Sequence, residues 1–206
     1  MEGWLNTDLS EWRVLMIGGT TAVGKSTTGA LVAKRLGIAC ISADSVWKAL
    51  MAATTPEEHP DFHHFEPTPE VHAKGTDHLL QLHIAVANAM TPSLDAFLDW
   101  ELHEGNRFVF QGAWITPELA AKRCESGFER AVFIDEPDER EILNSMMERS
   151  GRKAQGLEPL PRQLSISAMA WRYGDWLRKQ GLKLGLPIVA ARPRETLSDR
   201  IIAAAG

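Results

Sequence analysis

The sequence predicts an α/β fold, a mostly parallel five-stranded sheet with helices on both faces. Three observations carry this reading. Five short apolar runs alternate with helical stretches along the chain. The first run, Val14-Leu15-Met16-Ile17, is continuously apolar, as a strand covered on both faces must be. Glycine and polar residues gather where the first four runs end, at Gly18-Gly19, Ser42 to Asp44, Gln111-Gly112 and Asp135-Glu136. Ligands of such sheets bind beyond the carboxyl ends of the strands.

The elements follow in order. Residues 13–18 form the first strand, and a helix covers 25–36, with Ala30, Leu31, Ala33 and Leu36 expected inward and Gly37 as its stop. A second strand covers 38–42, and Asp44 or Ser45 caps a short helix bearing Val46, Leu50 and Met51. Prolines and acids interrupt 54–77, which reads as an irregular insert. A helix over 76–90 is expected to stop before Pro92, which opens another to about residue 104. A third strand covers 108–111, a helix runs from Pro117 through Cys124, and a fourth strand covers 131–135. A helix over 138–149, a Gly-, Pro- and Arg-rich loop over 150–162, a long helix over 165–184, a strand over 187–191 and a helix over 194–205 follow.

Composition narrows the function classes. With 206 residues, 44% hydrophobic and 24% charged, the chain suits one globular domain with a real core, and disorder is excluded. The net charge of −5 argues against a generic nucleic-acid or acidic-membrane binder. Cys40 and Cys124 make no disulfide framework or zinc spacing, and both are expected to be buried or half-buried thiols. No signal peptide or membrane span is legible, so a reducing cytoplasm is the expected compartment.

The turn after the first strand carries the strongest signal. Gly19-Thr20-Thr21-Ala22-Val23-Gly24-Lys25-Ser26 matches G-x-x-x-x-G-K-[ST] and lies between a buried strand and a helix, the context this phosphate loop requires. Backbone amides of Gly19, Thr20, Ala22, Val23 and Gly24, with the helix N-terminus, are expected to cradle the β-phosphate. Lys25 supplies a charge to the β- and γ-phosphates, Ser26 a hydroxyl to Mg²⁺, and Thr27 a contact to the α-phosphate. The base-reading signature of GTPases, Asn-Lys-x-Asp, is absent. A small-molecule kinase needs three more parts: a carboxylate near the acceptor, an insert that grips it, and a basic lid.

Candidates exist for each part. Asp44, after the second strand, can take the acceptor's hydroxyl proton or join the Mg²⁺ shell. Gln111 and Gly112 end the third strand, where kinases often place an acid. Asp135 is the alternative acid, but its place on the fourth strand favours a turn or cap before Pro137. Arg149, Arg152, Lys153 and Arg162 surround the Gly- and Pro-rich loop, and arginine forks suit phosphate closure. Arg172 stands on the following helix. His59, His63 and His64 lie among prolines that prevent one helical face, so a metal site is not expected there. The insert, the 75–78 helix start, Trp47 and Trp114 are candidates for an acceptor pocket.

The stretch from Leu15 to Thr27, with Ile41-Ser42-Ala43-Asp44-Ser45, resembles the 2-phosphoglycerate kinases and their bacterial relatives. The likeness continues more weakly through Phe108-Val109-Phe110-Gln111-Gly112-Ala113-Trp114 and Val132-Phe133-Ile134. It implies a P-loop NTPase three-layer sandwich with strand order 2-3-1-4-5, like the nucleoside-monophosphate-kinase-like folds. It further implies ATP, Mg²⁺ and phosphoryl transfer to a small phosphorylated acid. Two departures stand out. Gln111 replaces the usual Glu, and Val46-Trp47-Lys48 stands where an acceptor-gripping arginine is usual. Trp47 suggests a less anionic acceptor.

The reading is therefore an ATP-dependent kinase of a small metabolite, possessing one domain over 1–206, a substrate-side insert at about 45–105 and a lid at about 149–163. Lys25, Asp44, Arg149 and Arg152 are its catalytic candidates. The phosphate loop with Thr27 and Arg162 holds the nucleotide, Ser26 the Mg²⁺, and Asp44, Trp47, Gln111 and Gly112 the acceptor. Its partner is a small molecule, with no nucleic acid and no membrane. The alternative is a nucleotide-binding regulatory protein without phosphotransfer, which Gln111 in place of an acid favours.

Overall fold

A computed structural model describes residues 12–63, 73–152 and 160–206, with the side chains of residues 150–152, 160 and 161 outside the description. Five parallel strands form one sheet in the order β2-β3-β1-β4-β5. They are β1 (Val14–Gly19), β2 (Ala39–Ser42), β3 (Phe108–Gln111), β4 (Glu129–Asp135) and β5 (Ile188–Ala190). This is the expected strand order.

Alternation along the strands builds two cores. Val14, Met16, Phe108, Phe110, Ala131 and Phe133 point to one face, and Leu15, Ile17, Val109, Val132, Ile134 and Val189 to the other. A side-chain period of two sends successive residues to opposite faces, so a central strand with helices on both sides is apolar throughout. The first face packs against α2 (Ala43–Ala53), α4 (Thr76–His103), α5 (Pro117–Cys124) and α7 (Leu160–Lys183). The second packs against α1 (Lys25–Leu36) and α8 (Leu197–Ala205), with Trp12 sealing one end. A short α3 (Pro60–His63) lies in the insert, and α6 (Glu139–Arg152) follows β4. Among the described residues no helix is long and apolar enough to cross a membrane.

Several expectations need correction. The inward face of α1 is Thr28, Gly29, Val32 and Ala33, whereas Ala30 and Leu31 face out, Leu31 being 50% exposed. The phase is set by Lys25, which is buried at the helix start, so the residues three, four, seven and eight positions on share its face. Ser42, not Asp44 or Ser45, caps α2: its hydroxyl accepts from the Asp44 N–H at 3.3 Å. Pro92 does not divide the helix; α4 is continuous through it. Its buried residues Leu79, His83, Val86, Met90, Leu94 and Leu98 keep one stripe across the proline, and this packing outweighs one missing backbone bond.

Helix enters the expected 150–162 loop from both ends. Helix α6 runs through Gly151 to Arg152 and α7 begins at Leu160. A helical glycine costs only about 1 kcal/mol, and Pro161 in the first turn of α7 interrupts no helical bond. Lys153 and the rest of 153–159 lie outside the described residues, as does 64–72 of the insert with His64. Cys40 is exposed on the edge strand β2, not buried, and Cys124 is partly covered. The last helix starts at Leu197, after a 3-10 turn over Arg194–Thr196.

Candidate functional site

Register brings the strand ends together. Ile17 pairs with Gln111, Gln111 with Ser42, Gly19 with Ile134, and Ile134 with Val189. The turn after β1 therefore opens at the centre of one sheet edge, between the ends of β3 and β4. A cavity of about 1060 Å³ lies there.

The loop backbone has the curvature that its sequence demands. Gly24 caps α1 at φ 96°, and Ala22 holds φ 68°. Left-handed residues in series turn successive amides toward one point and make an anion-binding concavity beside the helix N-terminus. The positive φ at Gly24 favours glycine, and a Cβ there would lie 2.0 Å from the Arg194 guanidinium, which would have to move aside. Thr20 is buried, and its hydroxyl donates to the Ala170 carbonyl at 2.6 Å, tying the loop to α7. Gly19 ends β1, and Val23 is buried beneath the loop.

Lys25 is 7% exposed and donates from Nζ to the Thr20 carbonyl at 2.6 Å. Burial lowers its pKa to about 8; Asp44 opposes that shift and Arg149 adds to it. Ser26 donates its hydroxyl to Gln111 Oε1 at 3.2 Å. The cavity wall holds Lys25, Ser26, Thr27, Asp44 and Arg149 together, five residues singled out from the sequence.

Other expected residues stand elsewhere. Gln111 is buried and reaches the site through Ser26. A Cβ on Gly112 would lie 2.6 Å from Ala43 Cβ, so glycine here lets α2 approach the end of β3. Trp47 does not line the cavity. Its indole N–H donates to the Phe62 carbonyl at 3.0 Å and its ring lies 4.8 Å from Trp114. Trp114 stacks on His83 at 4.6 Å, and His83 meets the edge of Tyr173 at 4.3 Å. Burial, with help from the Lys25 charge, lowers the His83 pKa to about 3, so this imidazole is neutral. The Tyr173 hydroxyl donates to the Ala113 carbonyl at 2.8 Å and fixes the turn after β3. Arg162 lies in the first turn of α7, away from the cavity wall. Arg152 ends α6, with its side chain outside the described residues. Asp135 faces Arg178 at 3.7 Å, and burial raises its carboxyl's pKa.

Sequence reading missed one group. Arg192 and Arg194, just past β5, line the cavity with Glu141, Ser145 and Glu148 of α6. Arg192 donates to buried Glu136 at 2.9 Å and also pairs with Glu141. Arg194 donates to the Ala22 carbonyl at 2.9 Å and to the Ser145 hydroxyl at 3.3 Å. The signal was present: two arginines flank Pro193 at the carboxyl end of a strand in the same sheet. Among the described residues, no group of three or more His, Cys, Asp or Glu could hold a metal ion.

The wall thus combines four cations with three carboxylates around a nest of amides. Such a set suits a polyphosphate escorted by a hard cation, since Mg²⁺ takes few protein oxygens and completes its shell with phosphate and water.

No protein-family model matches the chain. It is 25% identical over 180 residues to a 2-phosphoglycerate kinase of Pyrococcus horikoshii, a match covering 85% of this chain and 58% of that protein. The chain thus spans little more than half the length of this curated relative. A gluconokinase from Sinorhizobium meliloti 1021 superposes with a TM-score of 0.52 at 16% identity, covering 95% of this chain and 91% of that one. A sugar kinase from Janibacter sp. HTCC2649 gives 0.51 at 18% identity, with 93% of each chain covered. The sheet order and the structural likeness show that this chain has the parallel α/β fold of these kinases, and its loop matches the phosphate-binding motif at the expected strand end.

Proposed function

We propose that this chain is an ATP- and Mg²⁺-dependent kinase that transfers a phosphoryl group to a hydroxyl of a small metabolite, with 2-phosphoglycerate-like acids among the candidate acceptors. The observation that carries the reading is the phosphate loop opening, with buried Lys25 at its side, onto a cavity that also holds Asp44. The names of the Pyrococcus relative and of the two structural neighbours support it.

Bound MgATP supplies the group to be transferred. The chain's own residues position and neutralise. The loop amides and Lys25 would hold phosphate oxygens, and Ser26, whose hydroxyl proton goes to Gln111, would offer its oxygen to the cation. Asp44, exposed in the first turn of α2, accepts the acceptor's proton or fixes its hydroxyl. Arg149 stands at the cavity wall, where it can balance charge that builds on the transferred group. The insert at about 45–105 as acceptor side and the segment at about 149–163 as lid belong to the same proposal, together with Arg152 and Arg162.

The test is incubation with ATP, Mg²⁺ and a panel of hydroxy acids, sugars and nucleosides. Saturable, acceptor-dependent ADP release is expected, and Lys25→Ala is expected to lose nucleotide binding. Unchanged ATP binding by Lys25→Ala overturns the reading. The uncharged Gln111 favours a second reading, a regulatory nucleotide binder. Tight ATP binding with no acceptor in the panel, and no effect of Asp44→Asn, would select it.

A further inference from the structure

The phosphate loop has an outer side as well as an inner one. Turning amides inward turns carbonyls outward, and an outward carbonyl at a partly covered site needs a donor. Ala22 is the one non-glycine with positive φ among the described residues, and its carbonyl receives Arg194 Nη2 at 2.9 Å. The same nitrogen lies 3.3 Å from the Ser145 hydroxyl on α6. The other nitrogen of the fork, Nη1, lies against Gly24, at 2.0 Å from where a Cβ would stand. One guanidinium therefore touches both left-handed residues of the loop and the helix across the cavity. Its neighbour Arg192 is paired with Glu136 and Glu141. Arg194, by contrast, makes its hydrogen bonds with neutral oxygens among the described residues.

We propose that Arg194 is a positioning residue that staples the Ala22–Gly24 segment in its open-nest conformation and ties it to α6 through Ser145, so that the loop is preorganised for phosphate before any nucleotide arrives. The proposal adds a residue to the site of the function proposed above, but its contacts stand whatever the nucleotide does there. An alanine at positive φ sits in a sparsely populated region, and such a residue persists only where its surroundings hold it. Of the groups the structure places on this loop's outer side, the planar fork of arginine is suited to the task because it presents two nitrogens in a fixed geometry.

Amide hydrogen exchange in the nucleotide-free protein tests this without reference to catalysis. In Arg194→Met, the amides of Val23, Gly24 and Lys25 are expected to exchange about tenfold faster, the size of one lost charge-assisted bond in a local opening equilibrium. The β1 amides of Leu15 to Ile17 should keep their wild-type rates. Arg194→Gln, which is polar but too short to reach Ala22, should behave the same way if Arg194→Met folds poorly. Wild-type loop rates in a folded variant would overturn the proposal. So would equal acceleration of loop and β1 amides, because that reports global destabilisation and not a local staple. Titration with MgATP then separates the two claims. Faster loop exchange with no ATP binding even in the wild type would leave the staple standing and remove the kinase.

Discussion

Lys25 Nζ donates to the Thr20 carbonyl at 2.6 Å, so the lysine that opens α1 closes back on its own loop five residues earlier. The ammonium is buried without a carboxylate in direct contact among the described residues, and burial depresses its pKa to about 8 from an ordinary value of 10.5. The unfolded chain therefore binds this proton more tightly than the folded one. The folded state carries the full burden of the buried charge below about pH 8, and that burden lifts as pH rises toward 10.5. Lys25→Met is expected to raise the nucleotide-free Tm at pH 7, by the equivalent of about 3 kcal/mol, while losing ATP binding. The wild type should gain stability relative to Lys25→Met between pH 8 and 10.5. Thermal melts of both proteins across that range check it. Parallel pH curves for the two would contradict the account.

Asp44 faces the cavity from the first turn of α2, where the Ser42 cap frees it from backbone duty. Its removal should touch chemistry more than binding. Asp44→Asn is expected to lower kcat about 10² to 10⁴-fold, the usual range for a lost general base or orienting carboxylate. ATP affinity should change less than about tenfold, because one exposed charge is a modest electrostatic contribution. Steady-state kinetics and calorimetry on one preparation separate the two effects.

Gln111 is 4% exposed and accepts the Ser26 hydroxyl, so a carboxylate there would be buried with a single hydroxyl partner. Gln111→Glu is expected to lose about 1–3 kcal/mol in Mg²⁺-free buffer. Saturating MgATP should recover more stability in this variant than in the wild type, because the added charge then faces a cation. Melts with and without MgATP measure the difference. An equal gain in both proteins would place the cation away from Gln111.

Arg123 has a structural role of the same electrostatic kind. Its Nε donates to Glu129 at 2.8 Å, and its Nη1 reaches Asp95 at 3.0 Å and also pairs with Asp99, joining α4, α5 and β4. Burial pushes the Glu129 carboxyl pKa up in spite of Arg123. Arg123→Met should cost about 3–5 kcal/mol by leaving that carboxylate without its cation, and the added change Glu129→Leu should restore much of the loss. Denaturant unfolding of the single and double variants tests this, and additive losses would refute it.

Part of the site was legible before any fold was known. The loop from Gly19 to Ser26 declares itself because each position answers a local demand: positive φ, an inward amide, a charge or a hydroxyl. Asp44 was found for a similar reason, since the ends of parallel strands in this kind of sheet share one edge. The misjudged elements depended on partners far along the chain. Pro92 should have divided a helix, yet the stripe from Leu79 to Leu98 has a core to meet on α7 and the sheet. Proximity to Asp44 makes Trp47 a pocket candidate, but its ring tilts against Trp114 and its indole N–H is taken by the Phe62 carbonyl.

The strands, their parallel arrangement and the phosphate loop follow from local properties, hydrophobic period and backbone permissiveness. Arg194 reaching Ala22 across 172 positions of chain, Gln111 holding Ser26, and α1 turning Lys25 inward and Leu31 out are set by long-range packing. Those relationships depend on strand order and register, which bring together residues that no local pattern connects.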